Sequence, residues 1–325
     1  MRIAVTGASG HVGNNLCRKL VSEGHTIKVL VHDDPDDLDS MNVKIVHGSI
    51  LDKNILDELC KDTDIVYHLA AIISVDNRNK DLVYATNVNG TQNLVDSCFK
   101  NKVKKLIHFS SIHVLNPFPL EKELNESREY VDMPEMVYEN SKTESEKIVM
   151  NAAKKGLHSI ILSPTAIVGP NDFRPSYFGK ALIRIYKNQL PMLVPGGYDI
   201  VDVRDVVNGA ILASKKGRSG ERYILSGKWL SIKDLSTEIS EISGKKTPQL
   251  LAPLFLAKIG VPFMRVYAAL KKEEPLYTKN MLDILKLSHQ NISSKKAAKE
   301  LGYKTRSLVE TLNDTFEWFN RDGQL

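Results

Sequence analysis

Tyr138 and Lys142 stand four residues apart in Tyr138-Glu139-Asn140-Ser141-Lys142, a spacing that puts a phenol and an ammonium on one face of a helix. An ammonium beside a phenol favours the phenolate and draws the pKa below its usual value of about 10, so the group can donate or accept a proton nearer neutrality. Upstream, an apolar run ends in Phe109-Ser110-Ser111, and the Ser111 hydroxyl is suited to hold a substrate oxygen. The second Tyr-x-x-x-Lys of the chain, Tyr267 to Lys271, lies far from these residues and reads as a surface helix pair. A different chemistry is suggested by Thr6-Gly7-Ala8-Ser9-Gly10-His11-Val12-Gly13, which follows the apolar run Ile3-Ala4-Val5. A chain that turns sharply from a buried strand, admits a pyrophosphate against its backbone and packs a helix on the strand is obstructed by Cβ atoms at those steps. Gly7, Gly10 and Gly13 remove them, in the spacing G-x-x-G-x-x-G. Gly7, Ser9, Gly10, His11, Val12 and Gly13 are therefore the candidate phosphate cradle, with the helix N-terminus presenting free N–H groups and its positive dipole end.

These groups act together only if the elements carrying them end side by side. Candidate strands at 2–6, 26–31, 43–47, 64–68, 104–109 and 158–163 alternate with helical stretches near 11–23, 52–60, 81–100 and 138–155. That alternation predicts an α/β fold, a doubly wound parallel Rossmann sheet. Its strands are rich in Val, Ile and Leu without alternation, as expected when both faces are covered. Ligands of such sheets bind at the carboxyl ends of the strands, where the glycine loop and Ser111 fall. After Ser163 the pattern weakens at Pro164, Gly169, Pro170 and Pro175, and 200–203 and 223–226 read as short strands returning to the sheet edge. The expected division is a nucleotide-binding domain over 1–165, rejoined by 198–226, and an interleaved, mostly helical substrate lobe from 166–197 and 227–325. Helices of that lobe are expected at 232–242, 279–287, 294–301 and 308–319.

Composition excludes several classes. The chain has 325 residues, 44 Lys and Arg against 39 Asp and Glu, and a net charge of +5. No basic run is interleaved with aromatics, so no nucleic-acid partner is expected. Cys17, Cys60 and Cys98 are widely spaced and odd in number, which suits reduced core thiols; no metal site is expected. The first strand begins at once, with no secretory n- and h-regions, and a cytoplasmic location follows as the expectation. The apolar segment 250–270 is interrupted by Pro253, Lys258, Pro262 and Arg265, too often for a membrane span. It reads as lobe core or substrate wall, with a subunit contact, as in a homodimer, and a membrane-surface helix as the alternatives. The acidic stretch from Asp33 to Asp39 reads as a solvated loop.

Together with Asp64-Ile65-Val66-Tyr67-His68-Leu69-Ala70-Ala71, Asn87-Val88-Asn89-Gly90-Thr91-Gln92-Asn93-Leu94 and Ser163-Pro164-Thr165-Ala166-Ile167-Val168-Gly169-Pro170, these motifs resemble the extended short-chain dehydrogenases and reductases, also called the NAD-dependent epimerase/dehydratase family. The resemblance covers nearly the whole chain. It implies that Leu69, Ala70 and Ala71 line the nicotinamide ribose side, that Pro164, Thr165 and Ile167 lie against the nicotinamide, and that Asn87 sits in the helix beneath the site. It also implies Tyr138 as proton donor, Lys142 as the group that tunes it and holds the ribose, and Ser111 as the group that polarises the carbonyl. Val201-Asp202-Val203-Arg204-Asp205 and the run from Lys295 to Tyr303 look most like dihydroflavonol-reductase-like and hydroxysteroid-dehydrogenase-like members.

Some positions depart from the family pattern. Where members often carry an Asp that contacts adenine, Ser49 follows Gly48, so the adenine contact leans on the backbone near Ile50. Strand two ends in Val31-His32, with neither the acid of NAD-preferring members nor the Arg of NADP-preferring ones. A protonated His32 suits a 2′-phosphate, although five nearby aspartates oppose it, and the balance tips to NADP over NAD. His68, at the end of a buried strand, reads as an ordinary structural histidine; His113, two residues past Ser111, reads as an ordinary loop histidine, with an alternative acid as the other reading. The expected activity is NAD(P)-dependent carbonyl reduction or alcohol oxidation on a small molecule. The alternatives are a nucleotide-sugar epimerase, kept open by Arg174, Arg204 and Arg265, and a non-catalytic NAD(P)-sensing protein, which the intact Ser111, Tyr138 and Lys142 set disfavours. Gly196-Gly197-Tyr198 stands where sugar-nucleotide members often carry an Arg, and Ser111-Ile112-His113 offers no dehydratase acid.

Overall fold

Strand β1 (Arg2–Thr6) shows how the sheet comes to be covered on both faces. Side chains alternate along a strand, and here both sets are apolar: Ile3 and Val5 join one core, Ala4 the other, each at most 1% exposed. The computed structural model describes residues 1–32, 38, 40–74, 79–132, 135–190, 192–253, 255–259, 282, 285 and 288–325. Strands β2 (Thr26–Val31), β3 (Lys44–His47), β4 (Ile65–His68), β5 (Lys105–Phe109), β6 (His158–Pro164) and β9 (Glu221–Leu225) join β1 in one seven-stranded sheet of order β3-β2-β1-β4-β5-β6-β9. Every pairing in it is parallel. Thr6 pairs with His68, and His68 with His108, so the strands end in step on the edge where the chemistry was expected.

Helices α1 (His11–Ser22) and α7 (Val203–Lys216) cover one face through Leu16, Leu20, Val206 and Ala210. The other face takes α2 (Lys53–Cys60), α4 (Gly90–Lys100) and α5 (Val137–Lys154) through Leu56, Leu59, Leu94, Val95 and Val149. The helix expected near 81–100 is interrupted: α3 (Lys80–Tyr84) runs into a π-helical turn, Ala85–Asn89, before α4. Such a wide turn re-aims side chains and is frequent at functional sites.

The expected return of 200–203 to the sheet edge is corrected. Only β9 adds to the main sheet; β8 (Gly197–Asp202) pairs parallel with β7 (Ala166–Val168) and antiparallel with β10 (Lys228–Ser231) in a separate three-stranded sheet. Ile200 faces the lobe core with Val168, Leu182 and Phe316, so its burial comes from the lobe and not from the Rossmann sheet. Helices α6 (Tyr177–Tyr186), α8 (Ile232–Ser243), α9 (Lys295–Leu301) and α10 (Leu308–Arg321) follow. Of the helix expected at 279–287, Leu282 and Leu285 are described, both helical and buried. Arg265, Tyr267, Lys271 and the aspartates 33, 34, 36, 37 and 39 lie outside the described residues.

The described part of 250–270 corrects the expectation of lobe core. Leu250, Leu251, Phe255, Leu256 and Ile259 are exposed; in the short helical stretch 255–259 it is Ala257 that packs on the lobe core. Among the described residues no helix is long and apolar enough to cross a membrane, and no group of His, Cys, Asp and Glu is placed to hold a metal. Cys17, Cys60 and Cys98 are free and buried, and burial pushes the Cys17 thiol up to about 12.

Candidate active site

The turn from β1 into α1 has no room for side chains. A Cβ on Gly13 would sit 2.1 Å from the Gly7 carbonyl oxygen, and one on Gly7, at φ +72°, would sit 2.7 Å from the Ala70 nitrogen. Gly10 caps α1 through backbone alone, and the first turn carries no acid. The Gly10 N–H is spent on Gly7 (3.2 Å) and the Asn14 N–H on Gly10 (2.8 Å). The N–H groups of His11, Val12 and Gly13 therefore precede the helix's own ladder, which makes this terminus an anion site. The His11 ring is engaged elsewhere, its Nε2 3.1 Å from the Pro170 carbonyl, so its contribution to the cradle is its backbone. A diphosphate fits this place because the helix terminus offers backbone N–H groups with no capping side chain and no acid in its first turn.

Behind the loop, the Thr6 hydroxyl accepts the N–H groups of Leu69 and Ala70 at 3.2 Å each and lies 2.8 Å from His68 Nδ1. His68 Nε2 is 2.8 Å from Thr91 Oγ1, which donates to the Asn87 carbonyl at 2.6 Å. Both ring nitrogens are thus used, and burial pushes the pKa down to about 3, so His68 is a neutral structural strut. Leu69, Ala70 and Ala71 follow on the half-exposed rim. Asn87, in the π turn, is buried and spends its amide on the chain: Oδ1 accepts the Ile72 N–H (2.8 Å), and Nδ2 donates to the Ile72 carbonyl (3.1 Å) and to Ser141 Oγ (2.9 Å). It ties the loop after β4 to α5, which makes it a positioning residue.

At the adenine end, the Ser49 hydroxyl accepts the Leu51 N–H at 3.2 Å, while the Ile50 side chain is buried against Gly90. Val31 is buried and His32 exposed.

Ser111 follows β5 by two residues and caps a 3₁₀ turn, Ile112–Val114, accepting the His113 N–H at 3.2 Å. Its hydroxyl meets the Tyr138 phenol across the gap to α5 and pulls the phenol's pKa down. Lys142 is 3% exposed and donates to the Phe109 carbonyl at 2.6 Å. Burial presses its pKa down to about 8, opposed by the Glu146 carboxylate. One expectation is corrected here. The Tyr138 pKa is raised, because burial and the neighbouring Glu139 carboxyl outweigh the Ser111 hydrogen bond, and the Lys142 ammonium is committed to Phe109.

Three buried groups near this cluster have no motif and escape sequence reasoning. Neither ring nitrogen of His108 has a hydrogen-bond partner; its ring lies 5.1 Å from His68, and burial together with Lys142 holds its pKa well below the usual imidazole range. Glu139 and Asp199 line a cleft of ≈ 730 Å³, counting space open to solvent, between the 112–117 loop, β7 and β8. Thr165 and Ala166 form its inner side, and Ile112, Leu115 and Leu124 part of its apolar wall. His113 stands exposed on the same cleft. Pro164 ends β6 opposite Leu225, and Ile167 lies in β7.

A doubly wound sheet with a glycine-closed helix terminus on its carboxyl edge defines a dinucleotide-binding enzyme. The chain belongs to the NAD dependent epimerase/dehydratase family, which it matches over residues 3–226. It is 30% identical to "Sterol demethylase protein B" of Methylococcus capsulatus, with 100% of both chains covered. It is 29% identical to a putative dihydroflavonol 4-reductase of Synechocystis, over 98% of this chain and 94% of that one. Among solved structures, gox2253 is similar with a TM-score of 0.85 and 30% identity over 99% of both chains. A UDP-glucose 4-epimerase of Thermotoga maritima, at TM-score 0.78 and 22% identity over 99% of both, shares the fold. The chain is an NAD-binding oxidoreductase of the extended short-chain dehydrogenase/reductase class.

Proposed function

We propose that the chain reduces a small carbonyl compound to the alcohol, with Ser111, Tyr138 and Lys142 as the reacting set. The observation that carries the reading is the Ser111 hydroxyl acting on the Tyr138 phenol, each next in the chain to a residue of the cleft wall, Ile112 and Glu139, with buried Lys142 one turn behind. When bound, a nicotinamide cofactor supplies two electrons and one hydrogen to the carbonyl carbon; the second hydrogen is a proton. Ser111 donates to the carbonyl oxygen and polarises it. Tyr138, whose raised pKa keeps the phenol protonated at neutral pH, delivers the proton to that oxygen. Lys142 keeps its charge on the Phe109 carbonyl one turn behind the phenol and would hold the ribose of a bound cofactor.

The cofactor would be held by Gly7, Ser9, Gly10, His11, Val12 and Gly13 at the diphosphate, by Leu69, Ala70, Ala71 and Lys142 at the nicotinamide ribose, and by Pro164, Thr165 and Ile167 at the ring, with Ser49 and Ile50 near adenine. The relatives named as reductases support this reading, among them a 2-alkyl-3-oxoalkanoate reductase of Shewanella oneidensis, 26% identical over 94% of this chain and 83% of that one. Epimerisation of a nucleotide sugar needs cations for two phosphates. Arg204 is instead held by Asp202 at 2.7 Å and Asp314 at 2.5 Å, both within the lobe. Assaying carbonyl compounds for net oxidation of NADH or NADPH tests the activity.

For the cofactor, NADP is favoured, because Val31 offers the adenine ribose no carboxylate while exposed His32 can meet a 2′-phosphate when protonated. Fluorescence titration is expected to show NADPH bound more tightly than NADH. His32→Asp should move the ratio toward NADH by about fivefold or more, the scale of about 1 kcal/mol for one charge near a solvated phosphate. Tight NADH binding with no NADPH signal in the unaltered chain would contradict the preference.

A further inference from the structure

The cleft beside Tyr138 has an uneven charge. Glu139 and Asp199 both line it, at 6% and 7% exposure, and the described residues lining it include no lysine or arginine. Its imidazoles are His113 and His289. His289 is fixed as the neutral tautomer: Nδ1 accepts the Asn291 N–H at 3.1 Å, which leaves Nε2 to donate to the Lys122 carbonyl at 2.8 Å. Burial raises the Asp199 pKa above the usual carboxylate range, and the Gly227 N–H, which Asp199 accepts at 2.7 Å, offsets only part of that rise. Burial raises the Glu139 pKa as well, against its own backbone N–H and a place in the first turn of α5, where the helix dipole favours a carboxylate. Glu139 keeps acceptor capacity to offer a ligand.

Resting on the reductase reading above, we infer that Glu139 and Asp199 are specificity-determining residues: the cleft takes uncharged, mainly apolar carbonyl compounds with a hydroxyl or N–H donor for Glu139, and rejects free carboxylates. A carboxylate entering this cleft meets like charge in a low-dielectric wall or forces a proton onto one of the carboxyl groups, and either route costs affinity. A neutral ester of the same chain length meets neither cost.

The test compares a long-chain oxoalkanoate methyl ester with the free oxo acid, measuring kcat/KM with NADPH and binding of both compounds by calorimetry. The ester is expected to be preferred by about tenfold or more, equivalent to about 1.4 kcal/mol. Glu139→Gln and Asp199→Asn, both close to isosteric, should each shrink that ratio by admitting the acid. Their melting temperatures show that each variant is folded. Equal use of acid and ester, or a ratio unchanged in both variants, overturns the inference while leaving the reductase reading intact. Binding of the ester without turnover of any carbonyl sinks the reductase reading, and the calorimetric ratio still decides the selectivity. Binding of neither compound overturns the inference.

Discussion

Tyr138→Phe is expected to lower kcat by about 10²–10⁴-fold, the scale of a lost general acid, while affinity for NADPH changes less than about threefold. The substitution removes one oxygen and its proton and keeps the ring that packs at the head of α5. The effect should therefore fall on turnover. With the proposed Ser111 contact to the carbonyl oxygen retained and the cofactor loop untouched, substrate KM should move little. A variant that keeps a tenth or more of the activity would remove Tyr138 from the role assigned to it and return attention to His113, which stands on the same cleft.

The second large effect concerns Lys142. Its neighbours give it a pKa of about 8, well under the ordinary lysine value, because it is buried and Glu146 offsets only part of that cost. The sign follows directly: below about pH 8 the ammonium is present, and above it the group becomes a neutral amine. The kcat/KM profile is expected to fall on the alkaline side with an apparent pKa near 8, since the phenol of Tyr138 stays protonated through that range. Lys142→Ala should lower turnover by about 10²-fold or more and weaken cofactor binding as well, because the proposed mechanism gives one charge a part in both. A profile flat to pH 10, or an alanine variant impaired in turnover alone, would separate those two roles.

The parts of the site that sequence made legible are those whose cause is local. Gly7 and Gly13 could be read because a Cβ at either position collides with backbone only a few residues away or on the next strand end, and the strand-turn-helix pattern shows that crowding in advance. Tyr138 and Lys142 could be read because four residues is one helical turn. The direction of the Tyr138 pKa shift could not, since it depends on burial and on Glu139, and on Lys142 being drawn to a carbonyl of β5. Asn87 was legible as lying under the site; that all its amide groups are spent on Ile72 and Ser141 required the π turn that aims it. The error at β8 has the same origin. Ile200 and Val201 look like core residues of any strand, and nothing in the run says that β7 and β10, not the main sheet, will supply the hydrogen bonds. Glu139 and Asp199 come from distant segments and form a feature only after the lobe folds over the sheet edge.

The central claim is that the chain performs net reduction. The direct measurement follows NADPH and product together in a mixture of purified chain, cofactor and a carbonyl compound that it turns over. The account predicts one NADPH oxidised for each alcohol formed, with oxidised cofactor accumulating in solution. Interconversion of a nucleotide sugar on permanently retained NAD, with no net change in reduced cofactor and no carbonyl reduced, would contradict it.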